Sequence, residues 1–199
     1  MTLPDGFTDV PRGKIAAVVT SLEMRAPVPP RPEPRDVQWS LRKVPQPEPD
    51  WYLDLYRRIG ADWLWFSRLE MPRAEVAAII TSPDVDIYAV QFEGRDEGVL
   101  ELDFREPRTC ELAFFGLTPA LLGQGAGRWL MNRALEFAWA RAIDRLWLHT
   151  CTLDHPGAVP FYIRTGFVPF KQAVEVAPDP RLTGALPETA APQVPIFRP

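Results

Sequence analysis

The chain has 199 residues, 46% of them hydrophobic, with 22 Lys+Arg against 26 Asp+Glu and a formal net charge of −4. That size and apolar fraction fit one globular domain with a sizeable core, and the acidic balance argues against nucleic acid as a partner. No apolar run reaches the roughly eighteen residues of a membrane helix, no signal peptide is expected, and two cysteines make no disulfide framework, so the expected compartment is the cytoplasm.

Residues 1–13 are polar and rich in Pro and Gly, which predicts a loosely held arm. Residues 15–24 carry the β-branched content of a strand, and Pro27, Pro29, Pro30, Pro32 and Pro34 then form an extended connector. Val37, Trp39 and Leu41 alternate with polar residues, as in a half-buried strand. Residues 50–59 have helical periodicity, with Asp50 as the cap and Gly60 as the stop. Pro72 opens a second helix that ends near Ser82 and Pro83. Residues 87–92 and 98–104 are strands joined by a polar hairpin, and 105–109 turn the chain into a strand over 111–117. A helix over 128–142, a strand over 146–152, a short helix around Phe161 and a strand over 168–176 follow. Residues 177–199 hold six prolines and read as a tail, packed on the surface or disordered.

The informative stretch is the strand from Glu111 to Leu117, then Thr118-Pro119, glycines at 123, 125 and 127, and a helix. Strand, glycine loop and helix in that order aim several backbone N–H groups at one point, at the positive end of a helix dipole. Such a point is an anion site, most often for phosphate, and Arg128 adds a positive charge there. Alternating glycines can also serve turn geometry alone. No Lys-Ser/Thr pair follows, which excludes a P-loop. A dinucleotide fold would place its glycines after the first strand and an acidic residue about twenty positions on; here the loop comes late and Trp147 holds that position.

Gly125-Ala126-Gly127 at a helix start resembles the acetyl-CoA signature of the GNAT acetyltransferases, Q/R-x-x-G-x-G/A. Ala158 to Phe167, A-V-P-F-Y-I-R-T-G-F, resembles the family's second signature, A-x-x-(hydrophobic)-Y-x-x-x-G-F, one helix and one strand further on. The resemblance covers roughly residues 37–176. Leu122 departs at the usual Gln/Arg position, and His155 stands where Asn is common. The resemblance implies an α/β fold: a mixed, mostly antiparallel sheet flanked by helices, whose central parallel pair splays to admit the pantetheine arm. It divides the chain into a 1–35 extension, a 36–176 acetyltransferase domain and a 177–199 tail. It also implies acetyl-CoA as the acetyl donor, with no metal. The donor would be held by Gly123, Gln124, Gly125, Ala126, Gly127 and Arg128, by Phe115, Gly116 and Leu117 as an added strand, and by His155 and Phe161.

Acetyl transfer to an amine needs a neutral nitrogen, a stabilised oxyanion and a protonated leaving thiolate. A lysine-like amine of pKa about 10.4 costs roughly 4 to 5 kcal/mol to deprotonate at pH 7, so a base is useful. Glu111 matches the family's general-base glutamate by its distance from Gly125, although strands also open on solvated charges. Tyr162 matches the signature tyrosine and is the expected acid, against a plain core role beside Phe161 and Phe167. The oxyanion is expected at the N–H of Leu117 or its neighbours, where the family strand bulges. His149 and Cys151 lie two apart on a strand, about 6.5 to 7 Å along it, beyond hydrogen-bond reach, so a covalent route is disfavoured. The two histidines and two cysteines show no metal-ligand spacing. Six aromatic residues between Trp51 and Phe66 exceed what two short helices need; Trp63 and Trp65 are the expected acceptor contacts, for a small amine. A protein lysine, or a non-catalytic acyl-CoA-binding regulatory module, are the alternatives, and a homodimer is left open.

Overall fold

A computed structural model of the chain describes residue 3 and residues 5–199, so part of the expected N-terminal arm lies outside the described residues. Among the described residues seven strands form one sheet in the order β2-β3-β4-β5-β6-β1-β7. In chain order they are β1 (Lys14–Met24), β2 (Ser40–Lys43), β3 (Val85–Phe92), β4 (Arg95–Asp103), β5 (Thr109–Leu117), β6 (Arg145–Cys151) and β7 (Val168–Pro178). The helices are α1 (Pro49–Gly60), α2 (Ser67–Glu70), α3 (Arg73–Ile80), α4 (Ala126–Trp139) and α5 (Ala158–Thr165). Every neighbouring pair is antiparallel except β5 and β6, which α4 joins as a parallel crossover. Among the described residues no helix is long and apolar enough to cross a membrane.

Alternation along the central strands buries both faces. Leu100 and Leu102 of β4 face a cluster with α4, Leu112, Leu146 and Leu148. Val99 faces the opposite cluster with α1, α3 and β3. Helix α1 presents Tyr52, Leu55, Tyr56 and Ile59 to that second cluster, the spacing of one helical face. Below it, Glu101 is fully buried, accepts from Arg68 at 2.7 Å and from the Tyr52 hydroxyl, and ties α2 to the sheet.

Several local expectations change. The α1 cap is Glu48, with Pro49 in the first turn, so Asp50 sits inside the helix and pairs with Arg73. The β3–β4 turn is only Glu93-Gly94, both at positive φ, so β4 starts at Arg95 rather than Gly98, while β3 gains residues at its far end, from Val85. Strand β2 starts at Ser40 rather than near Val37, and α4 starts at Ala126 rather than Arg128. Strand β1 lies between β6 and β7, antiparallel to both. The tail is packed rather than disordered. Buried Arg181 pairs with Asp179 and donates to the carbonyls of Ala190, Ala191 and Val194, and Leu186, Ala190 and Ala191 close on Leu64 and Ile15.

Candidate active site

The parallel pairing of β5 and β6 has three rungs, Thr109 to Arg145, Cys110 to Leu146 and Glu111 to Trp147, and ends there. Beyond Glu111 the strands diverge, and a cavity of about 490 Å³ passes through the opening. Its walls include Phe114 to Leu117 of β5, His149 to Cys151 of β6, Leu122 and Gly127 of the glycine loop, Phe161 and Tyr162 of α5, and Tyr56 with Trp63 to Ser67. The divergence exposes main-chain groups of β5. Thr118 N–H donates to Glu97 O, so alternation turns Gly116 and Phe114 toward β4 and leaves the N–H and C=O of Leu117 and Phe115 on the open side. The register shift in β5 falls at Ala113, between Leu112 and Phe114, so the bulge lies four residues before Leu117, where the family pattern was expected to bend.

At one end of the cavity stands the start of α4. Gly125 caps the helix at φ 83° without a side-chain hydrogen bond, and the first intrahelical bond runs from Trp129 N–H to Gly125 O. The N–H groups of Ala126, Gly127 and Arg128 are therefore free of helical acceptors. Arg128 Nε is buried without a partner among the described residues. Free donors and an orphaned guanidinium nitrogen fit a pyrophosphate at this loop. The Gln124 side chain is spent on Ala120 O at 2.8 Å, leaving that residue only its backbone for a ligand.

Family comparison fits this geometry. Residues 45–167, more than half the chain, match the family model described as "Acetyltransferase (GNAT) family". The chain belongs to the GNAT family. It is also 24% identical, over 139 residues, to an uncharacterized N-acetyltransferase of Methanocaldococcus jannaschii, covering 65% of this chain and 60% of that protein. The chain thus spans less than two thirds of that relative. Among solved structures, a GCN5-related N-acetyltransferase from Kribbella flavida superposes with a TM-score of 0.54 at 17% identity, covering 86% of this chain and 63% of that one. An aminoglycoside acetyltransferase from an uncultured soil metagenomic sample, solved in complex with sisomicin, superposes at 0.52 and 13% identity, over 69% and 93% of the two chains. Likeness at these identities shows the GNAT fold alone.

In this GNAT chain Tyr162 reaches the cavity from α5, which begins at Ala158, so Pro160 falls in the first turn, where proline is tolerated. The ring packs against Phe115, Phe161 and Phe167, and its hydroxyl makes no hydrogen bond with the described residues. Burial pushes the phenol well above its ordinary pKa, with the Asp154 charge adding to the effect. The phenol is held protonated at neutral pH.

Trp65 lies in a slot between two glycines. A Cβ on Gly60 would meet its side chain at 2.4 Å, and one on Gly116 would meet it at 2.9 Å and Ile59 at 2.4 Å. Its indole N–H donates to Asp154 at 3.0 Å, across the opening. Trp65 therefore has no free donor to turn into the cavity it lines. Trp63 meets the His155 ring edge-on at 5.2 Å, and His155 Nδ1 accepts from Gly157 N–H at 2.9 Å. These contacts draw the aromatic loop after α1 to the loop before α5.

Two residues stand out, Asp154, which sequence reasoning passed over, and His149, which it weighed only as a partner of Cys151. Asp154 ties Trp65, the Thr150 hydroxyl and Cys151 N–H together. His149 lines the cavity and lies 3.4 Å from Glu111, which is not among the lining residues. The signal was the crossover itself: parallel neighbours at 111 and 147 put residue 149 on the same face, one step on. Burial holds the Cys151 thiol above its ordinary pKa, with Asp154 adding to it, which works against a nucleophilic thiolate.

Proposed function

We propose that this chain moves an acetyl group from acetyl-CoA to a primary amine, by direct attack with both substrates bound, and that the acceptor is a small molecule. The observation that carries the reading is one continuous cavity, which joins a phosphate-type loop to an aromatic chamber through the opening between β5 and β6. Bound along that route, acetyl-CoA supplies a thioester, an acyl group already activated toward an amine. The loop from Gly123 to Arg128 would hold the pyrophosphate, and the free edge of Phe115 and Leu117 would pair with the arm as a strand. Their N–H groups on the open side would stabilise a developing oxyanion. Glu111 supports removal of the amine proton at the opening, and Tyr162 is the proton source for the leaving sulfur.

The acceptor chamber supports a compact ligand. Tyr56, Trp65 and Phe114 pack ring against ring, with centroids 4.9 to 5.5 Å apart. The Trp65–Asp154 bond and the C-terminal tail hold the chamber's loop down, whereas a peptide would need an open groove with backbone partners. The structural neighbour that acts on an aminoglycoside shares this fold. Turnover of a panel of small amines, compared with lysine peptides, tests the choice; acetylation of peptides only would overturn it.

Two variants bear on the same reading. Tyr162→Phe should lower turnover at least about tenfold while leaving CoA affinity within a few-fold, because the phenol acts only as sulfur departs. Trp63→Ala should raise the acceptor KM, with a cost of roughly 1 to 2 kcal/mol for a lost stacking face, and leave the acetyl-CoA KM unchanged. A matched rise in both KM values would place Trp63 on the donor side.

A further inference from the structure

We infer that His149 takes the proton from the acceptor amine and that Glu111 acts through it as a positioning residue; this rests on the acetyl-transfer reading above. Glu111 occupies the last paired rung of the parallel strands, and His149 is the first same-face residue beyond it on β6. His149 lines the cavity, and Glu111 stands behind it at 3.4 Å from Nδ1. With Nδ1 turned to the carboxylate, Nε2 is the nitrogen left without a protein partner among the described residues. An amine in the chamber meets the imidazole before it meets the carboxylate.

The charges around the ring support this division. Glu111 from β5, Asp154 from the loop after β6 and Glu175 from β7 all act on His149, and Glu111 contributes most. Together they raise the imidazole above its ordinary pKa against the opposing effect of burial. A more basic imidazole draws the amine proton more strongly wherever the pH leaves it neutral. Asp154 is already committed to Trp65, Thr150 and Cys151 N–H, and so acts only at a distance. Of the two N–H protons that an ammonium acceptor gives up, one passes to His149 Nε2 and on to solvent. As the N–C bond forms and the C–S bond breaks, Tyr162 gives its proton to the departing sulfur, and the second amine proton restores the phenol.

The test is the pH profile of amine-dependent thiol release from acetyl-CoA for the wild type, His149→Gln, His149→Ala and Glu111→Gln. His149→Gln should lower kcat by about 10²- to 10⁴-fold with CoA affinity unchanged. Imidazole in solution should restore part of the activity of His149→Ala. Glu111→Gln should keep measurable turnover and move the acidic limb to lower pH, because an imidazole without its carboxylate loses its proton more readily. The chain has two histidines, so the His149 resonance is identified by its absence in His149→Gln, and its NMR midpoint should fall in Glu111→Gln. A His149→Gln variant that keeps the wild-type rate and pH profile, or Glu111→Gln losing the acidic limb while His149→Gln retains it, overturns this inference alone. A wild type that releases no thiol with any amine overturns the acetyl-transfer reading with it.

Discussion

Gly125→Glu is expected to abolish saturable CoA binding in calorimetry. Gly125 sits at φ 83°, where an L side chain is strained, and its added Cβ would lie 3.2 Å from Pro34 and 3.8 Å from the Arg128 guanidinium. The new carboxylate would enter the space where three helix N–H groups and Arg128 converge. It would neutralise the very donors an incoming phosphate needs, and then repel that phosphate. Because a glycine cap can also matter for folding, Arg128→Met gives a second reading. It keeps the backbone and should weaken CoA by roughly 1.5 to 3 kcal/mol, as for a lost hydrogen bond to a charged group. Unchanged affinity in both variants would remove the loop from the cofactor site.

Glu101→Ala should be the most destabilising single change on the acceptor side. Glu101 is fully buried, Arg68 is 8% exposed and Tyr52 1% exposed. Burial pushes the Glu101 carboxyl upward, and Arg68 opposes that from 2.7 Å. Removing the carboxylate leaves the guanidinium buried over the Phe114 ring with no anion, at a cost of about 3 to 5 kcal/mol. Replacing all three residues by apolar ones of similar volume should cost far less, since both charges then leave the core together. Urea unfolding of the single and triple variants decides this. A single variant within about 1 kcal/mol of wild type would mean that water or a rearranged Arg68 reaches the site.

The parts of this molecule that local chemistry dictates were legible. Period-two and period-3.6 patterns placed most strands and helices, and glycines 123, 125 and 127 marked the loop before α4. What stayed hidden depends on partners far along the chain. Nothing between Lys14 and Met24 says that this strand pairs with both β6 and β7. Four residues, Ser67–Glu70, are too few to show a helical period, so α2 was missed although Arg68 anchors it. Proline content left the tail open between packed and disordered, and Arg181 with the apolar contacts of Leu186, Ala190 and Ala191 holds it down. Within the candidate site, Glu111 and Tyr162 were singled out by motif spacing, and the structure puts Tyr162 on the cavity wall and Glu111 behind His149. His149 was weighed only against Cys151 on its own strand, because its contact with Glu111 exists only once β5 and β6 are laid side by side.

The most direct measurement is amine-dependent release of free thiol from acetyl-CoA by the wild-type protein, with the acetylated amine identified by mass spectrometry. The proposed acetyl transfer predicts release that saturates in both acetyl-CoA and a small amine, with one acetylated amine formed per thiol. Saturable CoA binding without thiol release on any small amine or lysine peptide would contradict it, leaving a chain that binds the cofactor and transfers nothing.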